Sequence, residues 1–150
     1  MNRSKTIYLA GGCFWGIGRF FRMFEGVTGV TAGYANGRGE EYANYEAVCT
    51  GETGFRETVK VDYDPGEISL EEILTAYYAR IDPTDFNRQG LDVGTQYQTG
   101  IYWTDPEDKE TVMRISNAER ERHTRFYVEL KPLENFFPAE GYHQEYLCRN

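Results

Sequence analysis

No run of apolar residues in this 150-residue chain is long enough to span a bilayer, which takes about 20 of them. The opening segment, MNRSKTIYL, lacks the apolar stretch of a secretory signal. Basic residues are outnumbered, with 16 Lys and Arg against 24 Asp and Glu, for a formal charge of -8. That balance lacks the cationic footprint that nucleic acid or an anionic membrane surface requires, so neither is an expected partner. Cysteine is scarce. Cys13, Cys49 and Cys148 cannot all pair within one chain, and their wide spacing matches neither a disulfide framework nor a zinc knuckle. No metal cluster, phosphate loop or dinucleotide fingerprint is present, so no bound cofactor is expected. Repeats, low-complexity segments and linkers are also missing, and the length suits one domain over residues 1–150. These absences lead us to expect a cytoplasmic protein, or a piece cut from a longer one.

Aromatic residues are plentiful, with 12 Tyr and 9 Phe. They fall into periodic segments. Lys5 to Ala10 reads as a strand that ends at Gly11 and Gly12. From Cys13 the spacing of Phe14, Ile17, Phe21 and Phe24 predicts a helix, with Gly26 as its stop. Val27 to Tyr34 suggests a strand, and Ala35 to Asn44 a surface loop. Phe55 to Tyr63 alternates: Phe55, Glu57, Val59, Val61 and Tyr63 share one face, and Arg56, Thr58, Lys60 and Asp62 the other. Ser69 with Glu72 forms a capping box ahead of an apolar stripe of Leu70, Ile73, Leu74, Tyr77 and Ile81. A strand over Gln98 to Trp103, a polar helix opened by Asp105-Pro106, a strand over Phe126 to Leu130 and a short helix over Ala139 to Leu147 complete the pattern. The expected fold is α+β, a two-layer sandwich of helices on a mixed sheet with a ferredoxin-like core.

Cys13 stands out because it follows a strand and two glycines and opens a helix. The first turn of a helix carries unpaired N–H groups and partial positive charge, both of which favour thiolate over thiol. The glycines permit a sharp turn and close approach to the backbone, and Phe14 and Trp15 add an aromatic wall. A small buried cysteine at a strand–helix junction is the plainer reading; the flanking residues favour a nucleophile. Glu57 is the second candidate. A carboxyl on an apolar strand face is desolvated, which favours its neutral form and lets it donate a proton near neutral pH. The plainer alternative places it at a frayed strand start, facing solvent. A third candidate region, GLDVGTQYQTG over Gly90 to Gly100, brackets Asp92 with glycines and places Tyr97 just before a strand. Asp92 reads equally well as a turn residue. Tyr45, in NYEAVC, reads as packing on its own.

Taken together, these stretches resemble the A-type methionine sulfoxide reductases. The likeness rests on GCFWG at Gly12 to Gly16, YEAVCTG at Tyr45 to Gly51, TGFRETV at Thr53 to Val59 and DPT at Asp82 to Thr84. It continues through DVGTQY at Asp92 to Tyr97 and AEGYHQEYL at Ala139 to Leu147, so nearly the whole chain is covered in order. The resemblance implies reduction of the S epimer of methionine sulfoxide, free or in proteins, to methionine. It makes Cys13 the nucleophile, Glu57 the acid on the sulfoxide oxygen, Tyr45, Tyr97 and Asp92 the polar groups around that oxygen, and Phe14 and Trp15 the pocket for the substrate methyl. Cys13 would emerge as a sulfenic acid. A second thiol must then condense with it, either Cys148 or an external thiol, with thioredoxin, glutaredoxin or another thiol reductant as partner. Cys49 reads as packing in a strand.

The chain departs from the family pattern at Gln98, where Arg is usual, at Leu91, where Asn is usual, and at Arg56. The alternation turns Arg56 away from Glu57, so it is expected to affect that acid little. Two other function classes stand beside the reductase. A thiol peroxidase or acyl-transfer hydrolase would also use Cys13, and a hydrolase would call for His123 or His143 as base. A module that binds oxidised methionine without turnover would leave Cys13 as a thiol.

Overall fold

A computed structural model describes residues 4–139 of the chain. β1 (Lys5–Ala10) leads into α1 (Phe14–Arg22), followed by β2 (Val27–Ala35), α2 (Tyr45–Cys49) and β3 (Arg56–Tyr63). Then come α3 (Leu70–Arg80), a small hairpin of β4 (Arg88–Gln89) and β5 (Asp92–Val93), β6 (Gly100–Trp103), α4 (Asp108–Arg120), β7 (Glu129–Pro132) and β8 (Phe136–Pro138). Six strands form one sheet in the order β7-β6-β1-β3-β2-β8, antiparallel throughout except for the parallel pair β6 and β7. Within it, β1-α1-β2 and β3-α3-β6 give the strand order β6-β1-β3-β2, the ferredoxin-like core expected from the sequence. No helix among the described residues is long and apolar enough to cross a membrane.

The alternation of β3 decides how the sheet sits. Phe55, Glu57, Val59, Val61 and Tyr63 are all 1% exposed or less and lie on the helix-covered side. Ile7 and Leu9 of β1 join them, as do Phe14, Ile17 and Phe21 of α1 and Ile73, Leu74 and Tyr77 of α3. Each buried Val, Leu, Ile or Phe side chain of this set contributes roughly 1.5–3 kcal/mol by leaving water. The opposite face carries a smaller cluster of Tyr8, Ala10, Ala35 and Tyr102, packed against Leu133 and Phe136. α3 begins with the expected capping box: the Ser69 hydroxyl accepts the Glu72 N–H at 3.0 Å, and the Glu72 carboxylate accepts the Ser69 N–H at 3.1 Å.

Local chemistry moves several boundaries. NYEAVC is helical, not extended, so Cys49 ends α2 instead of lying in a strand; the Asn44 side chain caps that turn by accepting the Ala47 N–H at 2.9 Å. α1 stops at Arg22, ahead of Gly26, and Phe24 packs from beyond it on Phe20 and Phe21. β6 begins at Gly100 because Thr95–Tyr97 coil into a 3-10 turn first. The strand expected over Phe126 to Leu130 forms over Glu129–Pro132, where Pro132 is tolerated at a sheet edge. β8 covers the other edge and is too short, at three residues, to show a sequence period. The surface loop of Ala35 to Asn44 contains a 3-10 turn at Glu40–Tyr42. The helix expected over Ala139 to Leu147 lies outside the described residues apart from Ala139.

Candidate active site

Antiparallel pairing brings the C-terminal end of β1, the N-terminal end of β3 and the approach to β6 to one edge of the core. β1 ends at Ala10, opposite Thr58, and the chain turns through Gly11 and Gly12 into α1. Gly12 has φ +75°, a left-handed conformation, and a Cβ there would stand 3.1 Å from Cβ of Gln89. Glycine meets both demands. The Gly12 N–H donates to the Tyr97 carbonyl at 3.2 Å, tying this turn to the 3-10 turn before β6. Behind both, the Tyr77 hydroxyl donates to the Ala10 carbonyl at 2.5 Å and accepts the Gly100 N–H at 3.0 Å. Periodicity marks Tyr77 only as apolar stripe, and its hydroxyl clamp could not be read from it.

Cys13 is the N-cap of α1, extended at φ -65° and ψ 127°, with its carbonyl accepting the Gly16 and Ile17 N–H groups. The sulfur-bearing residue is 8% exposed. It lines a cleft of about 330 Å³ with Trp15, Arg80, Ile81, Gln89 and Asp92 among its walls. Trp15 stands at the cleft with the Arg19 guanidinium 4.5 Å from its ring centre. Phe14 is fully buried, its ring 5.7 Å from that of Tyr34, and backs the cleft from the core.

Glu57 is wholly buried, so the frayed-strand alternative does not hold. Its Oε1 accepts the Phe14 N–H, the first N–H of α1, at 3.1 Å. The carboxyl and the start of the Cys13 helix are thereby joined directly. Oε2 has no hydrogen-bond partner among the described residues. The Glu57 pKa is raised to about 8, chiefly by burial and also by the nearby Asp92 carboxylate, against the lowering effects of the Phe14 N–H and the Cys13 thiol. Arg56 is absent from these influences, in keeping with its opposite facing. Its guanidinium instead meets Glu129.

Tyr97 is 4% exposed. Burial raises its pKa, followed by the charges of Glu57, Cys13 and Asp92 and by Tyr45. Asp92 stands on β5, paired with Gln89, in a hairpin that turns at Gly90 and Leu91. Its Oδ2 lies against Gly12, 3.7 Å from where a Cβ would be. The turn reading of Asp92 thus gives way to a strand position at the cleft. Gln89, unmarked in the sequence, locks this hairpin to the end of α3 by accepting the Asp82 N–H at 2.5 Å and donating to the Asp82 carbonyl at 3.1 Å. Arg80, also unmarked, brings a cation to the cleft wall.

Cys13, Glu57, Asp92, Tyr97 and Tyr45 thus gather from five separate segments. Cys148 and His143 lie outside the described residues. His123 pairs with Glu119 at 3.6 Å and does not line the cleft. Among the described residues, no group of three or more His, Cys, Asp or Glu is placed to hold a metal ion. The arrangement can present a sulfur nucleophile at a helix start beside an uncharged carboxylic acid, with a tyrosine hydroxyl and an aromatic wall nearby.

A family model described as peptide methionine sulfoxide reductase matches residues 5–150. A curated relative from Clostridium perfringens, peptide methionine sulfoxide reductase MsrA, is 48% identical over 147 residues, covering 97% of this chain and 93% of its own length. Among solved structures, Mxr1 from Saccharomyces cerevisiae in reduced form superposes with a TM-score of 0.90 at 34% identity, over 96% of this chain and 84% of that one. Mxr1 in complex with Trx2 matches with a TM-score of 0.67 at 25% identity, over 97% and 86%. The chain belongs to the peptide methionine sulfoxide reductase family.

Proposed function

We propose that this protein reduces the S epimer of methionine sulfoxide, free or in proteins, to methionine, with Cys13 as nucleophile and Glu57 as general acid. The observation that carries this reading is the Glu57 carboxyl: buried, joined to the Cys13 helix through the Phe14 N–H, and held protonated at neutral pH by its surroundings. A sulfoxide oxygen leaves poorly until it is protonated. Oε1 is engaged as an acceptor, so we assign the acid proton to Oε2, which has no hydrogen-bond partner among the described residues. That oxygen then donates to the substrate oxygen.

The Cys13 thiolate attacks the substrate sulfur as Glu57 gives its proton to the oxygen. The S–O bond breaks and the protonated oxygen passes to the Cys13 sulfur as the transient bond between the two sulfurs breaks; the methionine sulfur gains two electrons, and the Cys13 sulfur is oxidised by two to the sulfenic acid. The hydroxyl of Tyr97, with Tyr45 beside it, donates to the oxygen while its charge grows, and Asp92 keeps Glu57 protonated. Trp15, backed by Phe14, takes the substrate methyl. A second thiol condenses with the sulfenic acid, releasing water and leaving a disulfide that a dithiol reductant reduces. Cys148 or an external thiol supplies the second sulfur. The solved complex of Mxr1 with Trx2 supports a thioredoxin-type reductant, which fits a cytoplasmic setting.

One equivalent of a peptide carrying the S sulfoxide, added to reduced protein without reductant, tests the reading. Methionine should form once per Cys13. The protein should gain the mass of one oxygen, or lose two hydrogens if an internal thiol condenses, with Cys148→Ser deciding between Cys148 and another source. Methionine formation by Cys13→Ser, or none by the wild type, sinks the assignment.

A further inference from the structure

Beyond the groups that meet the substrate, Arg56 makes an arrangement that the reaction as described does not use. It follows Phe55 and precedes Glu57 at the start of β3, and its side chain leaves on the sheet face away from Glu57. There β1 has already ended, and the guanidinium reaches across the space beyond it. Nε donates to Glu129 Oε1 at 3.0 Å and Nη2 to Glu129 Oε2 at 3.2 Å, a two-pronged pair. The Tyr102 hydroxyl donates to Oε1 of the same carboxylate at 2.7 Å. Burial opposes the Glu129 charge, yet the hydrogen bonds from Arg56 and Tyr102 keep its carboxyl below the ordinary value. The remaining guanidinium nitrogen, Nη1, donates to the Thr95 carbonyl at 2.9 Å. Thr95 opens the 3-10 turn that ends in Tyr97.

We propose that Arg56 is a positioning residue: its guanidinium, oriented by Glu129 and Tyr102, holds the Thr95 carbonyl and so fixes the turn that aims the Tyr97 hydroxyl at the substrate oxygen. This rests on the role given to Tyr97 above. The clamp joins the acid and the hydroxyl donor through one residue. Glu57 is the next residue along β3, and Tyr97 is two residues past the carbonyl that Arg56 holds. The turn has other anchors, since the Thr95 hydroxyl donates to the Gly51 carbonyl at 2.6 Å and the Tyr97 carbonyl accepts from Gly12. Losing the clamp should therefore loosen Tyr97 without unfolding the site. Lysine cannot replace the arginine, because a single ammonium lacks the planar fork that engages a carboxylate and a carbonyl together.

Single-turnover reduction of a peptide sulfoxide by Arg56→Lys, Arg56→Met, Tyr97→Phe and the two Arg56 variants combined with Tyr97→Phe tests this. Arg56→Lys retains a charge opposite Glu129 and serves as the folded variant if Arg56→Met is too unstable. Each Arg56 variant should lower the turnover rate about tenfold or more, as misplacement of a reacting group does, with substrate affinity little changed. In the Tyr97→Phe background the same changes should add less than about twofold, because both act on one interaction. The high-pH limb of the rate profile should stay in place, since Arg56 does not set the Glu57 titration. Turnover within about twofold of wild type in folded Arg56→Lys, or losses that multiply with Tyr97→Phe, would overturn the proposal. So would a high-pH limb displaced along with the rate, which would mean general loosening of the site. Wild-type turnover in Tyr97→Phe itself would remove the role of Tyr97 and this inference with it, a result distinct from failure of the Arg56 variants alone.

Discussion

Replacing Glu57 by Gln gives the most direct perturbation of the proposed chemistry. Gln is nearly isosteric and keeps an oxygen to accept the Phe14 N–H, but its amide delivers no acidic proton. General acids contribute about 10²–10⁴-fold, so single-turnover methionine formation should fall by that much while binding of the sulfoxide peptide persists. The pH dependence makes the test sharper. The Glu57 carboxyl is raised from 4.5 to about 8, chiefly by burial. The wild-type rate should therefore decline as pH rises through about 8, and Glu57→Gln should lack that limb. Stability carries the same signature. Between pH 4.5 and about 8 the native state holds a proton that the unfolded chain has released, so stability falls as pH rises through that window. The contribution is complete below 4.5 and gone above 8, and it amounts to at most about 5 kcal/mol. Urea unfolding at pH 5 and pH 9 should show this loss for wild type and its absence in Glu57→Gln. Full single-turnover rate in Glu57→Gln at pH 7 and pH 9 would refute the proton-donor role, and a wild-type stability flat across the window would refute the buried neutral carboxyl.

Asp92→Asn removes a charge that helps hold Glu57 protonated, so the high-pH limb should move to lower pH, read from single-turnover rates across pH 6–10. Gly12→Ala imposes a left-handed conformation on a residue with a Cβ and crowds Gln89, which should cost about 1–3 kcal/mol in denaturant unfolding and slow turnover as well. Ser69→Ala breaks the capping box at the far end of α3 from the site; it should cost about 1 kcal/mol of stability and leave turnover unchanged.

Much of the fold was legible wherever one physical rule dominated. The β3 alternation located both the buried face and the one acid on it, because a strand's side chains alternate whatever surrounds them. The capping box and the stripe of α3 were readable for the same reason. Where rules competed, the boundaries moved. Tyr45–Cys49 is rich in residues that suit either state, and the Asn44 cap tipped it into a helix. β8 forms because the edge of β2 offers unpaired backbone groups, which no three-residue period could announce. Phe14, read as a wall, lies in the core behind Trp15, since adjacent helical residues point about 100° apart.

The amino-acid order alone determined which chemistry is on offer: a cysteine opening a helix after two glycines, and a carboxyl among apolar neighbours on a strand. Both follow from local periodicity, which acts over a few residues. Only the tertiary structure decided that these groups meet. The Phe14 N–H reaching Glu57 across 43 positions, the Asp92 hairpin locked to α3 by Gln89, and the Arg56 guanidinium spanning from β3 to Glu129 and Thr95 all depend on strand order. The protonation of Glu57 depends on it too, because desolvation is a property of everything packed around a group and not of its neighbours along the chain.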